Sequence, residues 1–177
     1  MDTIHARDTR LLRSEVVNLD GVAQPMVFSA GRISAQLDEH GEYGLRLTNL
    51  TDRRVMVVLS VDRIDPRLGT QAYQGQPGLL FLPGQTRLVM KGKPSKKSPP
   101  RSLLPLKPDV ATISMLVFEE ATDYPTQGMG LPPAPFGPEN YRVSADGNRQ
   151  WIPPTNYPFR KKPGSAPEMI QLHYQIQ

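Results

Sequence analysis

The sequence has no cysteine. Disulfide staples, thiolate metal sites and cysteine nucleophiles are thereby excluded, and packing and hydrogen bonds alone must hold the fold. The hydrophobic fraction, 38%, is low for a globular chain, and there is only one tryptophan. No apolar run approaches the length of a membrane span: the longest, Val55 to Val61, has seven residues. Residues 1–17 are charged and lack an apolar core, so they do not read as a signal peptide. These absences predict a protein made in the cytoplasm that has no membrane partner. Acidic residues are missing from the whole interval between Asp65 and Asp109. That interval holds Arg67, Arg87, Lys91, Lys93, Lys96, Lys97, Arg101 and Lys107, so a net charge of only +4 hides a strongly basic segment, KGKPSKKSPPR, at residues 91–101. Such a block repels itself and favours an acidic partner.

Catalytic signatures are equally scarce. No serine sits in a G-x-S-x-G elbow and no glycine-rich loop matches a phosphate cradle. The three histidines are His5, in the polar N-terminus, His40, in the turn DEHGE, and His173, on the polar parity of an alternating segment. None belongs to a metal motif, and no cofactor is implied. Asp62 and Asp65 follow an apolar run, where catalytic carboxylates can sit, but Asp65-Pro66 followed by Gly69 is also an ordinary loop start. An enzyme built on this pair requires a deep polar pocket around it.

What is present is β pattern. Ile33, Ala35 and Leu37 alternate with polar residues, as do Tyr43, Leu45 and Leu47, and the turn DEHGE between them predicts an antiparallel hairpin. Val55 to Val61 is apolar on both parities, which predicts a central strand covered on both faces. Leu79–Leu82 and Arg87–Met90 flank Pro83-Gly84 and predict a second hairpin. Ile113–Phe118 reads as another buried strand, closed by Glu119 and Glu120. Met26–Phe28 is a short apolar piece, and Val16–Leu19 reads as a strand ended by Asp20-Gly21. Met1–Glu15, with Leu11 and Leu12 as its main apolar pair, reads as a short helix or an arm. Short strands separated by turn signals at regular spacing predict an all-β, antiparallel β-sandwich of jelly-roll-like type.

Ala121–Pro167 departs from this pattern. It carries ten prolines and little periodicity, which predicts an extended or irregular arm. It also carries Phe136, Tyr141, Trp151, Tyr157 and Phe159, whereas solvated disordered tails are poor in aromatics. Such a segment suits a strap, laid either on its own domain or on a neighbour. Ile170, Leu172, Tyr174 and Ile176 then alternate as a last strand. The organisation is therefore an N-terminal arm (1–25), a sandwich core (26–120), a Pro-rich arm (121–167) and a terminal strand (168–177). The core is expected to persist, less that last strand, when the chain is cut at Glu120.

The segments EYGLRLTNLTDRRVMVVLSVD (residues 42–62), PGLLFLPG (77–84) and ISMLVFEE (113–120), with Gly69 and Tyr73 between, resemble a family of small β-rich proteins of unknown function from bacterial genomes and prophages. That family has Gly where this chain has Arg63, and Trp where it has Lys93. The resemblance covers about residues 41–120. It implies a compact β-sandwich and carries no catalytic residues to transfer.

The functional expectation is a non-enzymatic structural protein: a bacteriophage virion component, such as a capsid decoration, cement or minor capsid protein, assembled in the host cytoplasm. Its partners would be the major capsid protein, other virion subunits or further copies of itself. Lys91, Lys93, Lys96, Lys97 and Arg101 would meet acidic patches, and Phe136, Tyr141, Trp151, Tyr157 and Phe159 would anchor the arm. Nucleic acid is disfavoured, because no aromatic between Phe81 and Phe118 is available for stacking. The alternative is a bacterial β-sandwich binding module for carbohydrate or protein, which calls for an exposed aromatic platform from Tyr43, Tyr73 and Phe81.

Overall fold

The structure, a computed structural model, describes residues 2–38, 41–92, 112–121, 141–143, 149–151 and 159–176. Among these every regular element is a strand: β1 (Asp2–Ile4), β2 (Arg7–Asp8), β3 (Leu12–Val17), β4 (Met26–Ser29), β5 (Arg32–Leu37), β6 (Tyr43–Asn49), β7 (Val55–Val61), β8 (Leu79–Phe81), β9 (Thr86–Gly92), β10 (Thr112–Glu119), β11 (Tyr141–Val143), β12 (Arg149–Trp151) and β13 (Glu168–Ile176). They form a seven-stranded sheet in the order β1-β4-β5-β13-β10-β7-β8 and a four-stranded sheet in the order β2-β3-β6-β9. The fold is a β-sandwich, and among the described strands every pair is antiparallel except β13–β5. β11 and β12 form a separate ribbon, with Tyr141 and Trp151 opposite each other in register.

The alternating residues of both sheets fill one core. Leu12, Val16, Leu45 and Leu47 from the small sheet meet Ala35, Val57, Met115 and Leu172 from the large one, all fully or almost fully buried. β7 and β10 are also buried on the opposite face, where Met56, Val58, Leu116 and Phe118 form a second cluster with Ala72, and Leu80 and Phe159 pack against it. This explains why Val55–Val61 and Ile113–Phe118 are apolar on both parities.

Neither predicted hairpin forms. β5 pairs with β4 and β13, whereas β6 pairs with β3 and β9. β8 pairs with β7, whereas β9 pairs with β6. Both connections are arches that carry the chain from one sheet to the other. Alternation is blind to this choice: a hairpin puts two apolar sets side by side, an arch puts them face to face, and the period is two in both cases. At the second arch Gln85 N–H donates to Leu82 O (3.0 Å) and Gly84 has φ +70°, as a Pro-Gly turn of type II demands.

The N-terminal segment forms neither a helix nor a free extension. β1 lies at the edge of the large sheet, β2 and β3 belong to the small sheet, and Leu11 and Leu12 are both core residues. The last strand has the greatest consequence. β13 lies between β5 and β10, so it joins β1-β4-β5 to β10-β7-β8. The core therefore does not end at Glu120: a chain cut there loses the middle of its large sheet. Removing residues 168–177 is expected to abolish cooperative unfolding as followed by circular dichroism. A deletion variant with a sharp, near-native melt would contradict this placement.

Candidate functional site

The two ends of β10 organise the regions singled out in the sequence. At its start, Asp62 and Arg63 form a two-residue turn with φ of 47° and 71°, and Val61 and Ile64 exchange hydrogen bonds of 2.8 and 2.9 Å across it. Asp62 accepts a hydrogen bond from Thr112 N–H (2.9 Å) and one from the Tyr174 hydroxyl. The Tyr174 ring lies 5.8 Å from that of Tyr43, whose hydroxyl is pushed well above the ordinary tyrosine range by burial and by the Asp62 charge. Tyr43 is in register with Gly92, the end of β9. Gly92 and Thr112, the residues that bracket the basic segment, thus belong to one pole of the sandwich.

Asp62 and Asp65 accept hydrogen bonds from different segments. Asp65 is buried and accepts from Arg67 N–H (2.8 Å), Leu68 N–H (3.3 Å) and the Gln76 amide. The cavity beside it is about 10 Å³, room for about one water molecule. Each carboxylate ties its turn or loop to a neighbouring group. Among the described residues no three His, Asp or Glu side chains lie close enough together to hold a metal ion.

At the other end of β10 the chain passes through Glu119, Glu120 and Ala121, and the returning segment comes back alongside it. Ala121 N–H donates to Arg160 O (2.7 Å), Lys162 N–H donates to Glu119 O (2.9 Å), and Glu120 and Lys161 form an isolated β-bridge. Residues 119–121 and 160–162 are therefore held together as a neck at this end of β10. Arg54 and Glu120, each with a wholly buried side chain, form an ion pair at this neck, with Arg54 Nε donating to Glu120 Oε1 at 2.9 Å. Phe159 lies over the Arg54 guanidinium at 6.0 Å, and Lys161 Nζ lies 4.0 Å from the centre of the Phe118 ring. Glu119 pairs with Arg10 and Lys162.

Beside this neck is a cavity of about 210 Å³ whose wall, among the described residues, carries Arg10, Arg53 and Arg54 together with Asp52, Glu119 and Glu120. Leu11 and Val55 supply its apolar surface. Buried Asn49 organises the loop that presents Arg53. Its amide nitrogen donates to Arg53 O (2.6 Å) and Leu82 O (3.0 Å), and its amide oxygen accepts from Thr51 N–H (2.9 Å). Sequence reasoning misses this cavity because its parts come from three separated segments. The one visible signal is a charged pair, Glu119-Glu120, directly after a buried strand.

Of the residues singled out as partner contacts, Lys91 is exposed at the end of β9, and Phe159 packs on its own subunit against the second cluster. The backbones of Tyr141 and Trp151 are paired in β11–β12. Lys93, Lys96, Lys97, Arg101, Phe136 and Tyr157 lie outside the described residues, as does His40. His5 is exposed and His173 is half-buried, opposite Thr112. Tyr43 and Phe81 are buried and Tyr73 alone is exposed, so these three offer no aromatic platform. Compared with known proteins, the chain matches no family model, no curated protein and no solved structure.

Breaking the buried pair leaves one charge without its partner. Glu120→Ala is expected to cost about 3–5 kcal/mol in denaturant unfolding, and the double variant Arg54→Met/Glu120→Leu to recover most of the loss. Equal losses in the single and double variants would contradict this. The peripheral pairs have a different signature. Hydrogen bonds from Arg46 and Arg10 hold the Glu15 and Glu119 carboxyls below their ordinary 4.5, and one from Arg13 holds Asp8 below 3.8. A carboxyl with a depressed folded pKa stabilises above its unfolded pKa and loses that contribution as pH falls through the folded value. The melting temperature should therefore decline modestly below about pH 4.5, because these pairs face solvent. Glu119→Gln should flatten part of that decline in a pH series of thermal melts.

Proposed function

We propose that this chain is a non-enzymatic structural protein of a bacteriophage virion, a decoration, cement or minor capsid protein that stabilises the shell by clamping neighbouring subunits. One observation carries the reading: the two compositionally unusual segments are rooted at opposite ends of the same buried strand. The basic segment is bracketed by Gly92 and Thr112 at the start of β10. The Pro-rich segment is bracketed by Ala121 and Phe159 at its end. Eight residues of strand separate these roots by about 23 Å. A subunit with a basic contact segment at one pole and a Pro- and aromatic-rich one at the other suits bridging two neighbours.

Composition gives each segment its role. Residues 122–158 hold eight prolines and five aromatics, including the single Trp151. Proline lowers the entropy lost when an extended segment is ordered, and aromatic rings bury large area on a partner. Phe136, Tyr141, Trp151 and Tyr157 are the proposed anchors. Each apolar side chain fully buried at the contact adds roughly 1.5–3 kcal/mol, and repetition around a shell adds avidity. Lys91, Lys93, Lys96, Lys97 and Arg101 are the proposed electrostatic contacts with acidic shell surface. Phe159, which packs beside Arg54, serves the root of the segment.

Because Ala121 and Phe159 are held together, residues 122–158 can be replaced by a short Gly/Ser linker. The expected product is a folded sandwich with a near-native melt that no longer co-sediments with the particle. Undiminished co-sedimentation would refute the clamping segment. Raising salt should release the wild-type protein progressively if the basic segment meets acidic groups, and should leave attachment unchanged if it does not.

A further inference from the structure

We propose that residues 159–176 are exchanged between copies of this chain: the slot between β5 and β10 takes the last strand of a second copy as well as its own. In the large sheet β13 bridges β5 and β10, which have no pairing with each other. Its core side, Ile170, Leu172 and Tyr174, is buried, so the slot it fills is apolar and costly to leave open to water. The ends of the slot suit this one sequence. Near the start of β13, Glu168 accepts hydrogen bonds from the Thr9 hydroxyl and from Leu11 N–H (3.4 Å). Near its end the Tyr174 hydroxyl donates to Asp62. The occupant that meets all of these is this strand, from the same chain or from another copy.

The way the strand is attached lets it serve either slot. β10 and β13 are antiparallel neighbours, and the bonds between residues 119–121 and 160–162 extend their pairing past the end of β10. A hairpin of this kind closes with about two to five residues. Here residues 122–158 intervene, although Ala121 N and Arg160 O are 2.7 Å apart. Fully extended at about 3.1 Å per residue, that length of chain reaches roughly 110 Å, more than twice the ~40 Å width of a domain of this size. No second covalent tie opposes exchange, because the chain has no cysteine. Closed and exchanged forms make the same contacts, so concentration decides between them. A strand on a long tether meets its own slot at an effective concentration of about a millimolar or less. Proline stiffens a tether and lowers that figure, and residues 122–158 hold eight prolines. Copies crowded together therefore compete for each other's slots. Because β13 lies in mid-sheet, exchange requires that the sheet open, so it takes place as copies fold together and is slow to reverse.

Ser114 of β10 and Gln171 of β13 are opposite each other in register, within the Cα range of a disulfide. Ser114→Cys and Gln171→Cys chains are unfolded, mixed, refolded together at about 10 µM to about 1 mM and oxidised. A chain that keeps its own strand leaves each thiol opposite a residue without one. Exchange brings the two thiols together, so a disulfide-linked heterodimer of twice 19.7 kDa should appear on non-reducing gels. It should rise with concentration and exceed any dimer formed by either variant alone. The wild-type chain, refolded over the same range, should show by size-exclusion a dimer that increases with concentration and persists on dilution. This second measurement decides the matter if either variant fails to fold. No heterodimer above the level of the single variants, or a wild-type monomer at every concentration, overturns the proposal. No particle enters the test, so its failure is distinct from a failure of shell attachment.

Discussion

The buried pairing of Arg54 with Glu120 is the constraint on which the layout of this molecule depends. Arg54 stands immediately before β7 and Glu120 immediately after β10, two neighbours in the large sheet. Their contact closes the end of the sheet and fixes the direction in which the chain leaves it. Two charges with no solvent exposure are poor stabilisers compared with a well-packed apolar pair. Their value lies in specificity: Glu120 tolerates few arrangements other than the one that puts a guanidinium against it. The returning segment adds to the same arrangement through the backbone bonds between residues 119–121 and 160–162 and through Phe159 over Arg54.

The neck and the last strand both belong to the sandwich. The opposite pole has a similar root, where Asp62 ties the β7 turn to Thr112 of β10 and Tyr174 of β13. A single strand buried on both faces thus carries a root at each end. Both charged groups at these roots, Asp62 and Glu120, come after a run of apolar residues in the sequence. There they work as locks on chain direction.

The strands themselves are largely legible, because burial on one face or two leaves a plain imprint on residue parity. Ile33–Leu37, Val55–Val61, Ile113–Phe118 and Ile170–Ile176 are readable for this reason. Their partners are not. Whether Tyr43–Leu47 folds back beside Ile33–Leu37 or crosses over it depends on turn geometry that DEHGE does not encode, and the same holds at Pro83-Gly84. Residues 2–17 are obscured by short strands and by the charged outer positions Arg13 and Glu15, each bonded to a neighbour that sequence spacing does not reveal. The cavity by Arg53 is invisible in the sequence, since Leu11, Arg53 and Glu120 meet only once the two sheets are stacked. Lys91 and Phe159 stand out for their chemistry, yet only coordinates separate an exposed strand end from a ring packed at home.

Amide hydrogen exchange tests the closed neck most directly. The Ala121 and Lys162 amides donate across it to Arg160 and Glu119. If the neck is part of the folded core, both should exchange only as fast as the central amides of β10, through global unfolding. Exchange of these two at the rate of an open loop, while β10 stays protected, would show that the segment is not held there and would contradict the account.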